Sequence, residues 1–457
     1  MQLDLFHKVP DESRLKVELF EAYFACRRNK RNTLSALEFE LDFESRIFDL
    51  ADDLIQGRYN PDPCYAFVVR RPVQREVFAA SFRDRVVHHW LIAKINHLFE
   101  AYFIEDSYAC RMGKGTHFGI QRMVAFMEDG MKTHGQQLWI LKLDIRGFFM
   151  HINRNLLMQR LTHFLVARYK GDDLKLVLET ASSLVHSRPD LRCVIRGLPS
   201  DWDGLPTDKS LFHSPTDCGL PIGNLTSQIF ANFYLHSLDR FVTQKLGFQR
   251  YGRYVDDFVL MDAKPARLKA AIPRIASFLR TDLGLTLHPR KVYMQPVVHG
   301  FQFLGAVIKP GRIYAASRIK GNFYASIQRY NRLINSQNGK ISKQQLQAFI
   351  NSVNSYTGLL IHYSTFRLRR RILSEILSLD WLGHLKLRKD LGAVIAVHQN
   401  HATFASNIPY APPQGRKELL ANPGCPRNIS QSLDCLDGVQ GSSPGWAARD
   451  LRGRGLR

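Results

Sequence analysis

The sequence predicts an α/β fold, and three observations carry that expectation. Short apolar runs of strand length end in aspartates, longer segments repeat apolar residues at helical spacing, and glycine or proline turns separate the two kinds. Residues 15–57 read as mainly helical, with Leu19, Phe20, Tyr23 and Phe24 followed by Phe39, Leu41, Phe43, Ile47 and Leu50. Residues 65–78 are rich in Val, Phe and Arg and read as strand and loop, with Arg70, Arg71 and Arg75 near the turn-forming Pro72. Residues 82–103 resume a helix, opened by Arg83, Asp84 and Arg85 and carrying Trp90, Leu91, Ile95 and Leu98.

The apolar run at 137–145 suits a buried strand, with Asp144 near its end and Gly147 interrupting it before Phe148 and Phe149. Residues 171–218 are expected to be loop-rich, with Asp201, Trp202, Asp203 and Gly204 among prolines. A helix entered from a glycine turn is expected over 226–246, on Phe230, Phe233, Tyr234, Leu238 and Val242. Residues 251–261 read as two short strands meeting at Asp256 and Asp257. Residues 265–279 read as the next helix, with Pro265 in its first turn and Pro273 expected to kink it. A hairpin at 301–314 precedes a helical, basic stretch over 317–387 that includes Arg369, Arg370 and Arg371. After His401 the prolines and glycines, from Pro409 to Gly453, predict a flexible tail.

Composition narrows the function. With 45% hydrophobic residues in 457 the chain can bury sizeable cores, and 63 Lys+Arg against 41 Asp+Glu give a formal charge of +22. Basic surface releases counterions from phosphate chains, so nucleic acid is the leading partner and an anionic membrane surface the second. No apolar window reaches the roughly 18 residues of a spanning helix, and residues 1–14 lack a signal-peptide core, so a cytoplasmic protein without a membrane partner is expected. The seven cysteines form no Cys-x-x-Cys pair and suggest reduced thiols, not a zinc site.

The chemistry rests on three acids. An acid ending a buried strand is costly unless its desolvation is offset, and a divalent cation is the usual compensation. Asp144 fits that description. Asp256 and Asp257, adjacent at a turn between apolar strands, repel each other unless one is protonated or a cation lies between them. A bare Asp-Asp pair is more often a solvated turn, but apolar flanks, the upstream Asp144 and the basic chain favour a shared site. Joined across one sheet, the three could hold two magnesium ions about 4 Å apart and support phosphoryl transfer.

Tyr254-Val255-Asp256-Asp257 resembles the signature of the reverse transcriptases, and Leu143-Asp144-Ile145-Arg146-Gly147-Phe148-Phe149 is similar to that family's first catalytic segment. Residues 82–89, 219–228, 287–291 and 303–305 resemble, in the right order, its finger, nucleotide-pocket, late-palm and primer-grip motifs. The resemblance implies a right-hand polymerase. An N-terminal helical extension would occupy 1–57, fingers and a palm whose antiparallel sheet carries the carboxylates 58–315, a helical thumb 316–400, and the flexible tail 401–457.

Residue roles follow from the same resemblance. Asp144 and Asp256 would bridge two Mg2+ ions, Asp257 would assist, and the Ile145 carbonyl would complete one coordination sphere. Phe149 falls where the family places an aromatic gate against the 2'-hydroxyl, with an ordinary core phenylalanine as its plainer reading. Arg75 aligns with the cation that meets the triphosphate, with Arg70 and Arg71 as neighbouring rivals. Arg83 and Arg85 stay open between template contact and a structural role with Asp84, capping the next helix or forming an ion pair. Lys291 matches a lysine that could protonate pyrophosphate, or is a solvated surface lysine. Gly219 and Gly223 would form the turn through which backbone approaches the nucleotide.

Ile222 departs from the glutamine many relatives carry there, and the Ile-Gly-Asn-Leu-Thr-Ser-Gln form resembles enzymes of diversity-generating retroelements and related antiphage-defence groups. Relaxed fidelity is the expectation. An RNA template, a DNA or RNA primer, deoxynucleotides, and possible non-coding RNA and accessory protein partners complete the reading, and tail tyrosines or serines are conceivable primers. The alternatives are an antiphage enzyme making DNA from an associated non-coding RNA, and a maturase-like RNA-binding protein.

Overall fold

Asp11 accepts a hydrogen bond from the Arg14 N–H and so starts the first helix, since an unpaired N–H at a helix end needs such an acceptor. The computed structural model describes residues 11–28, 33–70 and 73–397. Its first layer is α1 (Glu12–Arg27), α2 (Leu34–Glu40) and α3 (Phe43–Ile55). Tyr23 stacks on Phe43 at 4.9 Å and Phe39 meets Phe82 at 5.2 Å. These ring contacts fold the three helices onto the start of a longer one.

Next, β1 (Cys64–Val69) and β2 (Arg75–Ala79) form an antiparallel hairpin. The long helix α4 (Phe82–Tyr102) is capped by Ser81, whose oxygen accepts from the Asp84 N–H at 3.1 Å. After it come α5 (Thr116–His134), β3 (Trp139–Asp144), the single turn α6 (Phe148–His151) and α7 (Arg154–Arg168). The stretch expected as loop then contains a full helix, α8 (Leu174–His186), which buries Leu174, Leu176, Val177, Ala181, Leu184 and Val185. The proline-rich residues after it obscured this apolar face. β4 (Cys193–Ile195) joins β1 in parallel, giving a small sheet of order β2-β1-β4.

Helix α9 (Leu225–Arg240) is buried nearly all round and runs into a π-helical turn at Phe241–Lys245. Its Asp239 bonds to Tyr251 and Arg253 of the main sheet, where β5 (Arg250–Tyr254) and β6 (Asp257–Asp262) precede α10 (Pro265–Leu283) and β7 (Tyr293–Pro296). Helix α10 is four residues longer than expected and continues through Pro273. The sheet order is β5-β6-β3-β7, antiparallel throughout. Both faces are covered. Leu141, Leu143, Phe258 and Leu260 enter one core, and the alternating Ile140, Val259 and Met261 enter the other.

The 301–314 region is three strands, not one hairpin: β8 (Phe301–Phe303), β9 (Ala306–Lys309) and β10 (Arg312–Ala315). Beyond them, α11 (Ser317–Ser336) and α12 (Lys343–Leu360) pack through Phe323 on Tyr356, with α13 (Phe366–Arg370) and α14 (Leu379–Leu382) closing the module. Trp381 stacks on Phe349 at 3.9 Å. The expected helical stretch ends in a small hairpin, β11 (Leu385–Leu387) with β12 (Val394–Ala396). No described helix is long and apolar enough to cross a membrane, and no disulfide joins the described cysteines. The tail expected at 401–457 lies outside the described residues.

Candidate active site at the carboxylate end of the main sheet

Alternation along β3 and β6 explains where the charge collects. Ile140, Val259 and Met261 seal one face of the sheet against the core, and the next positions on that face are Lys142, Asp144 and Asp257. Asp144 and Asp257 are direct partners across the antiparallel ladder. Asp256 occupies the two-residue turn between β5 and β6, and its carbonyl accepts from the Ile145 N–H at 3.3 Å. The structure therefore brings Asp144, Ile145, Asp256 and Asp257 to one end of the sheet.

Two ammonium groups meet these acids. Lys291 donates to both oxygens of Asp144, at 2.8 and 3.0 Å. It is held there because the His288 N–H bonds the Asp144 carbonyl at 2.8 Å and the Lys291 N–H bonds back to His288. Lys142 lies 2.9 Å from Asp257 Oδ2. Asp257 Oδ1, by contrast, is buried without a hydrogen-bond partner.

Burial, followed by the nearby charge of Asp144, pushes the Asp256 carboxyl up to about 7. Asp257 is also raised, chiefly by burial, with Lys142 acting against it. Crowded, desolvated carboxylates with an orphaned oxygen fit a hard divalent cation, whose charge would offset both the burial and the mutual repulsion. Among the described residues, no three His, Cys, Asp or Glu side chains are gathered closely enough to share an ion as they stand, and lysines engage two of the acids.

The surrounding positions form a second group. Phe149 is partly buried, lies edge-on to Phe148 at 5.4 Å and packs against the same small core as Ile222, which includes Phe78, Met150 and Leu211. Its carbonyl accepts from the Leu220 N–H at 2.8 Å, which ties the 219–224 turn to the first catalytic segment. The Ile222 carbonyl accepts from the Phe78 N–H at 2.8 Å, tying the same turn to β2. Gly223 has φ +122, and a Cβ there would stand 2.8 Å from Val77 Cγ1 and 3.0 Å from the Phe78 carbonyl oxygen. Only glycine allows that approach without displacing β2.

Arg75 opens β2 and is exposed. Its rival Arg70 is committed to Asp201 at 2.8 Å, and Arg71 lies outside the described residues. Arg83 and Arg85 are both engaged within the protein. Arg83 pairs with Asp53 at 2.9 Å, Arg85 bonds the Ala80 carbonyl at 3.1 Å, and buried Asp84 accepts from the Tyr59 hydroxyl and the Asp62 N–H.

Three positions went unread in the sequence. Lys142 was signalled by its place two residues before Asp144, which puts both on one face. Arg253 was signalled by its charge inside an otherwise uncharged strand interior. Glu76, buried and accepting from Trp202 Nε1, Ser210 Oγ and the Leu211 N–H, left no local signal because its partners lie more than 120 residues away.

A four-stranded antiparallel sheet with clustered carboxylates at one end, helices behind it and a helical module after it defines the palm of a right-hand polymerase. Residues 74–308 match the family model described as "Reverse transcriptase (RNA-dependent DNA polymerase)", and the chain belongs to that family. It is 22% identical over 303 residues to Protein YkfC of Escherichia coli K12, covering 59% of this chain and 72% of that one. It is 23% identical over 211 residues to the group II intron-encoded protein LtrA of Lactococcus lactis subsp. cremoris, covering 45% of this chain and 30% of that one. Apo telomerase from Candida tropicalis superposes with TM-score 0.42 at 15% identity, over 68% of this chain and 58% of that one, a likeness too distant to bear on the chemistry.

Proposed function

We propose that this chain copies an RNA template into DNA, with Asp144, Asp256 and Asp257 as the catalytic carboxylates. The observation that supports this reading is the unpartnered, buried Oδ1 of Asp257 beside two further acids at the end of the sheet. The three carboxylates, with the Ile145 carbonyl, would hold two Mg2+ ions. When bound, these ions would supply charge neutralisation for an attacking hydroxyl and a leaving pyrophosphate. A primer 3'-hydroxyl attacks the α-phosphate of a deoxynucleoside triphosphate in line.

The protein's own groups orient that encounter. Arg75, at the exposed start of β2, would meet the triphosphate with a planar fork of donors. Lys291 sits against Asp144, where an ammonium can donate a proton to departing pyrophosphate. Phe149, at the edge of the small core that also holds Ile222, would be the ring that excludes a 2'-hydroxyl. Primer extension on a primed RNA template tests the reading. Wild type is expected to extend and the Asp256→Ala, Asp257→Ala double variant is not, and equal extension by both would refute it.

Ile222 favours a low-fidelity enzyme of a diversity-generating or defence retroelement, because its side chain offers the incoming nucleotide no hydrogen bond. The Ile222→Gln variant is expected to lower misincorporation opposite template adenine, read by sequencing the products. An unchanged error spectrum would remove that reading. Sequencing RNA and DNA that co-purify with the protein separates mutagenic copying of one RNA from repetitive defence products, and RNA without DNA would favour an RNA-binding scaffold.

A further inference from the structure

Val255 is the first residue of the two-residue turn that carries Asp256, and its φ is +54. A β-branched residue is a true outlier in this region, where hairpin turns ordinarily use glycine or asparagine. Something must hold the turn in place. The Val255 carbonyl accepts a hydrogen bond from Arg253 Nη1 at 3.0 Å.

Arg253 is wholly buried and all its donors are directed. Nε and Nη2 form a fork onto the two oxygens of Asp239, at 2.6 and 2.7 Å. Nη1 also reaches Asn232 Oδ1 at 3.2 Å, and Nη2 reaches Ser107 Oγ at 3.2 Å. The Arg253 main chain is fixed as well, with its N–H bonded to the Asp106 carbonyl and its carbonyl to the Tyr108 N–H, both at 2.9 Å. The guanidinium is thus anchored on α9 and on the 106–108 segment, and its one contact with the catalytic turn is the Val255 carbonyl.

A buried ion pair is weak as a source of stability, since apolar residues of similar volume commonly do as well. Its geometry can serve position instead. We propose that Arg253 is a positioning residue for polymerisation: it clamps the Val255 carbonyl, keeps the turn in its left-handed conformation and so fixes the Asp256 carboxylate relative to Asp144. The Ile145 N–H to Asp256 carbonyl bond carries that placement across to the other catalytic strand. Lysine cannot substitute, because it has no fork to span Asp239, Asn232, Ser107 and the turn at once. This inference rests on the polymerase reading above.

The test is steady-state primer extension by the full chain on oligo(dT)-primed poly(rA) with dTTP and Mg2+, beside thermal melting. Three variants are compared: Arg253→Lys, the charge-balanced pair Arg253→Gln with Asp239→Asn, and that pair with Val255→Gly added. In the folded pair, kcat is expected to fall on the order of 100-fold, as displaced reacting groups do, while the KM for dTTP stays within about twofold. Adding Val255→Gly, which makes the turn conformation unstrained, should recover at least about tenfold of that loss without raising the melting temperature. Unchanged kcat in the folded pair overturns the proposal. So does a loss of activity that follows melting temperature alone and that Val255→Gly does not relieve. Absence of extension by the wild type would refute the polymerase reading itself, a result distinct from either.

Discussion

The two sides of the β5–β6 turn treat buried charge in opposite ways. On the front, Asp257 keeps one oxygen unpartnered, Asp256 is pushed up to about 7 by burial, and lysines reach the carboxylates from the 287–291 turn and from β3. On the back, Asp239 Oδ1 accepts from both Tyr251 and Arg253, and Oδ2 accepts from Arg253 again. Tyr251 and Arg253 on the back are nonetheless within six positions of Asp256 and Asp257 on the front. The Asp239–Arg253 pair at the back is satisfied by protein alone, whereas the front leaves Asp257 Oδ1 without a partner. An incomplete polar cluster is costly to the fold, so its presence indicates that something outside the chain completes it.

The largest effect that can break this comparison is on the front. Replacing Asp256 and Asp257 together by alanine should lower polymerisation at least about a thousandfold, the scale on which removal of acting catalytic groups is felt. The same change should leave melting unchanged or raise it slightly, because it removes raised, mutually repelling carboxylates. A large fall in melting temperature would mean the front acids are structural after all.

The back should respond in the reverse order. Arg253→Met alone leaves Asp239 buried and uncompensated, and is expected to cost about 3–5 kcal/mol in denaturant unfolding. A cost under about 1 kcal/mol would place the pair in the same class as exposed ion pairs and remove the contrast.

The sequence made the front legible and the back nearly invisible, for a physical reason. Asp144, Asp256 and Asp257 sit in short contiguous stretches whose apolar flanks and order along the chain are both visible without a fold. Lys291 was likewise readable from its place in a short segment. The partners of Arg253 come instead from Ser107, Asn232 and Asp239, and nothing in local periodicity joins them. Glu76 and the 199–211 segment are the same case. Helix α8 was missed differently: its apolar face was present in the sequence, but the prolines that follow it outweighed the pattern. The boundaries of the palm helices and strands, by comparison, fell within a few residues of their expected places, because alternation marks the strands, Ser81 caps α4 and Pro265 opens α10.

The smallest effect concerns His236, which lies behind the same turn on α9 and is 3% exposed. Its ring packs 4.1 Å from Tyr102, and burial, aided by Arg253, Arg240 and Arg111 against the opposing pull of Asp239, lowers it to about 4. The folded protein therefore keeps this histidine neutral while the unfolded chain protonates it near its ordinary value of about 6.5. Stability from this group is complete above about 6.5 and is lost as pH falls toward 4, at up to about 1.4 kcal/mol per pH unit. His88, lowered to about 3, contributes in the same direction, while Asp84, raised to about 6, works against both by binding a proton more readily when folded. His89, lowered to about 4, adds to the loss, and Asp256, raised to about 7, opposes it, so the informative quantity is the difference between wild type and His236→Phe in denaturant unfolding at pH 7.5 and pH 5.5. Wild type should lose about 1 kcal/mol more than the variant over that interval. An equal loss would show that His236 protonates within the fold, and that the back of the turn tolerates an added charge as the front does.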